Sequence, residues 1–112
     1  MKSTHCLLIQ KYALNILNYT KGMSGKEFAD SNVTYDACIL NFINIGEQVK
    51  SLTETFLEKH HHIPFRKIIG LRNLTAHSYE GLEPLLLFQS VQNDIPVLLD
   101  QISEIIKLEK FD

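Results

Sequence analysis

The longest continuous apolar pattern of the chain runs through residues 33–59, VTYDACILNFINIGEQVKSLTETFLEK. Its apolar residues recur at alternating spacings of four and three, which is the period of one face of an α-helix. The stripe consists of Cys38, Phe42, Ile45, Val49, Leu52 and Phe56. A second set, formed by Ala37, Leu40 and Ile43, broadens this face. The pattern predicts one long helix from about Val33 to Lys59.

Helical periodicity continues on the N-terminal side. Residues 5–19 predict a helix whose apolar stripe is Leu8, Tyr12, Ile16 and Tyr19. Gly22 and Gly25 then interrupt helical propagation. Ser24 followed by Glu27 matches a capping box, in which each side chain bonds to the other residue's backbone N–H. A short helix over residues 25–30 is therefore expected.

The C-terminal half also has a helical pattern. Pro64 suits the first turn of a helix that extends to about Ala76, and a short helix is expected from Pro84 to Val91. Asn93 or Asp94 then caps a last helix. The residues that this helix buries are predicted to be Ile95, Leu98, Leu99, Ile102, Ile105 and Ile106. The sequence therefore predicts one all-α domain over residues 1–112, an up-and-down bundle of four to five helices.

Composition excludes several classes of protein. The chain has 112 residues, of which 45% are hydrophobic and 21% charged, as in globular domains and unlike disordered chains. No apolar run is long enough to span a membrane, and Gln10 and Lys11 interrupt the run that follows Lys2, so a secretory signal is not expected. Cys6 and Cys38 are too few for a disulfide framework or a zinc site. A reduced, cytoplasmic protein is expected.

The net charge of −2 conceals a local asymmetry. Residues 59–79 contain four cations and no acid, whereas residues 80–112 contain seven acids and two cations. A basic segment in an acidic protein favours an anionic ligand or partner at one place, although a solvated helix face has the same composition.

Familiar catalytic patterns are absent from the sequence. The five glycines are isolated, so there is no phosphate-binding loop, and neither G-x-S-x-G nor H-E-x-x-H occurs. The three consecutive histidines, His60, His61 and His62, would point in different directions on a helix. An exposed polar turn is therefore expected there rather than a metal site, and neither a metal nor a cofactor is predicted.

Residues 72–79, Arg-Asn-Leu-Thr-Ala-His-Ser-Tyr, carry the strongest chemical signal. The Arg72 guanidinium can bind a phosphate with two parallel hydrogen bonds, and neutral His77 can exchange a proton near pH 7. Together they would suffice for cleavage of RNA without a metal, with His77 as general acid or base and Arg72 stabilising the transition-state charge. A polar helix end that is only solvated and capped remains an equal interpretation of this spacing.

Helical geometry adds a constraint to the interpretation of this segment. On one continuous helix, Arg72 and His77 would lie about 140° apart, which presents them poorly to a single phosphate. Either the helix ends before His77, or a second subunit completes the site. A two-fold homodimer is the simpler solution.

These residues resemble the HEPN superfamily and, within it, the branch of HepT-like toxins. The resemblance rests on Arg72, Asn73, His77 and Tyr79, together with three flanking runs in the same order. These are N-I-G-E-Q-V-K-S-L at 44–52, I-P-F-R-K-I-I-G-L-R-N at 63–73 and N-D-I-P-V-L at 93–98. The chain departs from the usual pattern at Phe65, Ser78 and Gln48, where Trp, Gly and Ala are common.

The resemblance implies a dimeric helical ribonuclease toxin that is encoded beside a minimal nucleotidyltransferase antitoxin. Arg72, Asn73 and His77 would be its catalytic residues in a cleft between subunits. Tyr79 would be the position to which the antitoxin transfers AMP, and the added negative charge beside Arg72 would oppose RNA binding. Glu47 is a candidate for orienting Arg72, or else an ordinary surface acid.

Two other functional classes remain open at this level. The chain is alternatively a non-catalytic binding module or accessory subunit of a nucleotidyltransferase, in which Arg72 and His77 contact the partner. A third interpretation is a helical adaptor without RNA chemistry. Loss of growth inhibition on substitution of Arg72 or His77 in a folded protein would distinguish the first class from these two.

Overall fold

A computed structural model of the protein describes residues 2–60 and 84–109, which form six helices. They are α1 (Lys2–Thr20), α2 (Gly25–Asp30), α3 (Asn32–Lys50), α4 (Glu54–Lys59), α5 (Pro84–Asn93) and α6 (Ile95–Glu109). The described ranges contain no strand, which confirms the all-α prediction. The helix predicted between Pro64 and Ala76 lies outside them.

Helix α1 packs against two long helices, α3 and α6. Its buried residues are Cys6, Ile9, Ala13, Ile16 and Thr20. The predicted stripe is confirmed at Ile16, which is buried, and at Tyr12, which packs against the core, but it was wrong at Leu8 and at Tyr19, which is 45% exposed. The prediction passed over Cys6, Ile9 and Ala13, which together with Ile16 form the buried side of α1.

The stripe through residues 38–56 is buried at all six predicted positions. It does not lie on one helix, however, so the prediction of a single helix over 33–59 was wrong. The chain leaves the helix at Ser51 and starts again after Thr53, whose hydroxyl accepts a hydrogen bond from the Phe56 backbone N–H at 3.2 Å. Leu52 and Phe56 keep the apolar period because the interruption is short. Leu40, expected to broaden the buried face, is 58% exposed.

The turn between α1 and α3 follows the predicted capping chemistry. Gly22 adopts a φ of +76°, which side chains disfavour, and the chain reverses there. The Ser24 hydroxyl accepts from the Glu27 N–H at 3.1 Å, and the Glu27 carboxylate accepts from the Ser24 N–H at 2.9 Å. The capping box is confirmed. Helix α2 thereby places Phe28 in the core, where its ring lies 5.1 Å from that of Phe88.

Two side-chain pairs connect α1 to α3. The Asn15 amide donates to Asn41 Oδ1 at 3.2 Å, and Asn41 in turn donates to the Ala37 carbonyl at 2.8 Å. At the other end, His5 Nδ1 lies 2.7 Å from Gln48 Oε1. Polar atoms at a helix interface must meet their partners, so these pairs select one register between α1 and α3.

The last two helices match their predictions closely. Helix α5 ends at Asn93, two residues after the expected end at Val91, and α6 begins at Ile95. Between them, Asp94 accepts a hydrogen bond from the Ser90 hydroxyl at 2.8 Å. The predicted apolar face of α6 is confirmed: four of its residues are buried and Leu99 and Ile106 pack against the core. Within the described ranges, no helix combines the length and hydropathy needed to cross a membrane.

Candidate functional site

The four residues with the strongest chemical signal lie outside the described residues. Arg72, Asn73, His77 and Tyr79 all fall in the range 61–83, so their roles remain predictions. The structure describes the elements that precede and follow this segment in the chain. The segment follows α4 and its C-terminal residue His60, and it rejoins the described chain at Pro84, the first residue of α5.

His60 anchors the start of this segment in the core. Its backbone N–H donates to the Phe56 carbonyl at 3.1 Å, which closes the last turn of α4. Its ring packs against that of Phe56 with 4.6 Å between centroids, and the residue is only 9% exposed. The prediction of an exposed turn was therefore wrong for the first of the three histidines. An i, i+4 pairing with a stripe residue, Phe56, was the signal that the sequence offered.

Glu47, the candidate supporting residue, lies in the last part of α3 with an exposed side chain. Its backbone carbonyl accepts a hydrogen bond from the Ser51 hydroxyl at 3.2 Å, at the point where α3 ends. The position suits a group that acts at the surface of the bundle rather than in the core. Whether it orients Arg72 remains a prediction.

Sequence reasoning missed the polar contact beside Glu47. Gln48 stands where the resembled pattern usually has Ala, and its side chain bonds to His5 across the α1–α3 interface. The contact fixes the end of α3 that carries Glu47 against the start of α1. The departure from the usual residue was the available signal, but a partner 43 residues away could not be identified from the chain alone.

The described cysteines do not supply a nucleophile. Cys6 and Cys38 are both buried, and neither forms a disulfide. Burial raises the pKa of the Cys38 thiol from 9.0 to about 12, because the thiolate would lose its hydration. Cys38 is therefore neutral and unreactive near pH 7. Among the described residues, no group of three His, Cys, Asp or Glu side chains is placed to hold a metal ion.

Comparison with known proteins extends to residues 72–79, which the structure does not describe. Residues 9–105 match the family model described as "Ribonuclease HepT-like", and this range includes the whole of residues 72–79. Two Methanocaldococcus jannaschii proteins, each named "Putative RNase", are 32% and 33% identical to the chain over 88% of its length. The alignments cover 82% and 85% of those proteins.

A third similar protein comes from Thermococcus cleftensis and is named "Probable ribonuclease HepT". It is 30% identical over 74% of this chain and 76% of its own length. No solved structure matches the chain.

Proposed function

We propose, from the premise that this chain belongs to the HepT-like ribonuclease family, that it is the endoribonuclease toxin of a toxin–antitoxin pair. The family match confirms the resemblance that the sequence motifs indicated, and with it the prediction of a ribonuclease. The observation that carries the finer proposal is the complete Arg-x4-His-x-Tyr pattern at residues 72–79, within the matched range.

In this proposal the cleavage needs no metal. His77 takes the proton from the ribose 2′-hydroxyl or returns one to the leaving oxygen, and the Arg72 guanidinium stabilises the charge that develops on the phosphate. Asn73 supplies a further hydrogen-bonding group beside Arg72. Cys6 and Cys38 are both buried, so neither is proposed as a nucleophile.

The site is proposed to form in the cleft of a homodimer. The separation of about 140° between Arg72 and His77 on one helix supports a contribution from two subunits. Mixing Arg72→Ala subunits with His77→Ala subunits tests this directly. If the two residues act across the interface, mixed dimers contain one intact site and recover part of the activity, whereas sites built within one subunit recover none.

The central test compares motif variants with matched variants of the same segment. Arg72→Ala and His77→Ala are expected to abolish RNA cleavage and growth inhibition, while Arg66→Ala and His62→Ala retain both. Circular dichroism establishes that each variant remains helical. Folded Arg72→Ala and His77→Ala proteins that remained fully active would refute the assigned site. A wild-type protein that binds a nucleotidyltransferase but never cleaves RNA would instead favour the accessory-subunit alternative.

Control of the toxin is proposed to occur by transfer of AMP to Tyr79 from a minimal nucleotidyltransferase encoded nearby. Each AMP adds a phosphate and bulk beside Arg72, where the RNA phosphate binds in this proposal. Mass spectrometry of the co-expressed pair should find mass increments of AMP that map to Tyr79 and disappear in Tyr79→Phe. Tyr19→Phe is the matched control, because Tyr19 is 45% exposed and lies on α1, outside the motif. An unmodified toxin in a stable complex would point to neutralisation by binding alone.

A further inference from the structure

Positive charge is concentrated in a second part of the chain besides residues 59–79. The first 26 residues contain Lys2, Lys11, Lys21 and Lys26, and the first acid of the chain is Glu27. Lys11 and Lys21 are both exposed, one on α1 and the other in the turn that follows it. Lys26 is ion-paired with Asp30, so Lys11 and Lys21 are the exposed cations of this element that can attract a polyanion.

A surface groove of about 360 Å³ opens at the end of this element. It lies where the turn after α1 meets α5 and the first turn of α6, and its volume falls in the range of ~300–1,000 Å³ that is usual for small-molecule sites. The positive φ of Gly22 turns the chain between Lys21 and Met23, so that both contribute to the groove. We call this feature the α1-end groove.

The lining of the α1-end groove combines three kinds of chemistry. Met23 and Pro96, both half-buried, provide apolar contact, Gln92 provides an amide, and Lys21 provides a cation. Within the described part of the chain, neither Lys21 nor Gln92 uses its side chain in a hydrogen bond or ion pair. The Thr20 hydroxyl, by contrast, donates to the Ile16 carbonyl at 2.9 Å.

This combination matches one unit of a nucleic-acid strand. An apolar wall accepts the face of a base, an amide can pair with a base edge through its donor and acceptor, and an ammonium group pairs with a phosphate. The nearest acid along the chain from Pro96 is Asp94, and its carboxylate already accepts a hydrogen bond from the Ser90 hydroxyl. Among the residues that line the groove, Lys21 is the one cation, and none is an acid.

We infer that the α1-end groove holds one nucleotide of a single-stranded RNA substrate, at a position separate in sequence from the 72–79 motif. The inference rests on the proposed function, because it takes RNA as the substrate. Lys11 favours a strand over a free nucleotide, since it lies ten residues before Lys21 and so roughly 15 Å away along α1. A strand that occupies the groove can reach this second cation, whereas a mononucleotide cannot.

Binding of a short 2′-O-methyl RNA oligonucleotide, followed by fluorescence anisotropy, tests the inference without cleavage. In Lys21→Gln the Kd is expected to rise about fivefold at ~0.1 M salt, because each phosphate contact to a single strand contributes a slope of about 0.7 in log K against log salt. The slope of log K against log salt should fall by about 0.7 in this variant. Lys107→Gln is the matched control, an exposed lysine in the last turn of α6 with the same change of charge, and it should bind as the wild type does.

A second pair of variants tests the groove itself. Gln92 is exposed, so Gln92→Glu and Gln92→Lys should both fold, and they are expected to weaken and to strengthen binding respectively. Wild-type affinity in both Lys21→Gln and Gln92→Glu would overturn the inference. If AMP alone displaced the oligonucleotide and bound as tightly as the oligonucleotide does, that result would also overturn the inference.

Cleavage of an unmodified RNA separates this inference from the proposed function. If the wild-type protein cleaves RNA while Lys21→Gln and Gln92→Glu both bind RNA as the wild type does, only the groove is refuted. A wild-type protein that binds RNA through Lys21 but never cleaves it refutes only the ribonuclease proposal.

Discussion

The α1–α3 interface and the corner where α2 meets α5 are held together by different interactions. At the interface, two hydrogen-bonded pairs, Asn15–Asn41 and His5–Gln48, connect the helices. At the corner, the Phe28 ring lies against Phe88 at 5.1 Å and against Tyr35 at 6.0 Å between centroids. We call these regions the polar interface and the aromatic corner.

The contrast separates the sources of stability and of register. Apolar burial stabilises both regions and is non-directional, and at the aromatic corner it is concentrated in three rings. Hydrogen bonds at the polar interface contribute less on balance, but an unpaired polar atom there is costly. Truncation of a ring at the aromatic corner should therefore cost more stability than loss of one hydrogen-bonded pair, while the polar pairs fix how α1 is placed on α3.

The largest effect is expected from truncation at the aromatic corner. Phe28 is fully buried, so Phe28→Ala should lower the free energy of unfolding by about 3–5 kcal/mol, measured by urea denaturation. Val33→Ala is the control, since Val33 is 82% exposed and its loss should change the value by less than about 0.5 kcal/mol. If Phe28→Ala lowered the free energy of unfolding no more than the control does, the stabilising role of the aromatic corner would be contradicted.

A smaller effect is expected at the polar interface. Asn41→Leu removes the acceptor of the Asn15 amide and should cost about 1–3 kcal/mol, because that amide is left half-buried without a partner. Adding Asn15→Leu should recover part of this cost. A double-mutant cycle measures the recovery, and strictly additive single costs would show that the two side chains do not act as a pair.

The Cys38 thiol, which lies on α3, makes the stability of the protein depend on pH in the alkaline range. Its pKa is about 12 in the folded protein and 9.0 as the ordinary value, so the folded state holds the proton more tightly. Its contribution is complete below pH 9.0 and is lost as the pH rises towards 12. At pH 10 the loss should be on the order of 1 kcal/mol.

This loss is measured as the difference in unfolding free energy between the wild type and Cys38→Ala, followed against pH. Both proteins share every other titratable group, so the contributions of those groups cancel from the difference. A difference that stays constant between neutral and alkaline pH would show that the thiol does not titrate differently in the two states.

The smallest effect is expected where α2 begins. A Cβ at Gly25 would lie 3.1 Å from Cδ2 of Leu85, a side chain that is 49% exposed and free to rotate. Gly25→Ala should therefore cost less than about 1 kcal/mol in thermal unfolding. Combining it with Leu85→Ala should remove the steric part of that cost, and a cost that persists undiminished would place its origin in the backbone.

The sequence predicted the fold and the functional residues to different extents. The 72–79 motif was found from residue types and from a resemblance that the family match confirms. The described structure neither includes nor tests its four side chains. The α1-end groove was not predicted, because Lys21, Met23, Gln92 and Pro96 are brought together by the packing of three helices. His5 and Gln48 escaped notice for the same reason.

What the sequence determined by itself is local. Apolar period, capping residues and glycines act over a few positions, so the all-α class, the capping box at Ser24 and the buried stripe of residues 38–56 were predicted correctly. Only the tertiary structure decided which face of α1 is buried and that the stripe crosses a break after Lys50. Those outcomes depend on how neighbouring helices pack: α1 packs against α3 and α6 and buries Ile9 and Ile16, and Leu52 remains in the core although α3 ends before it.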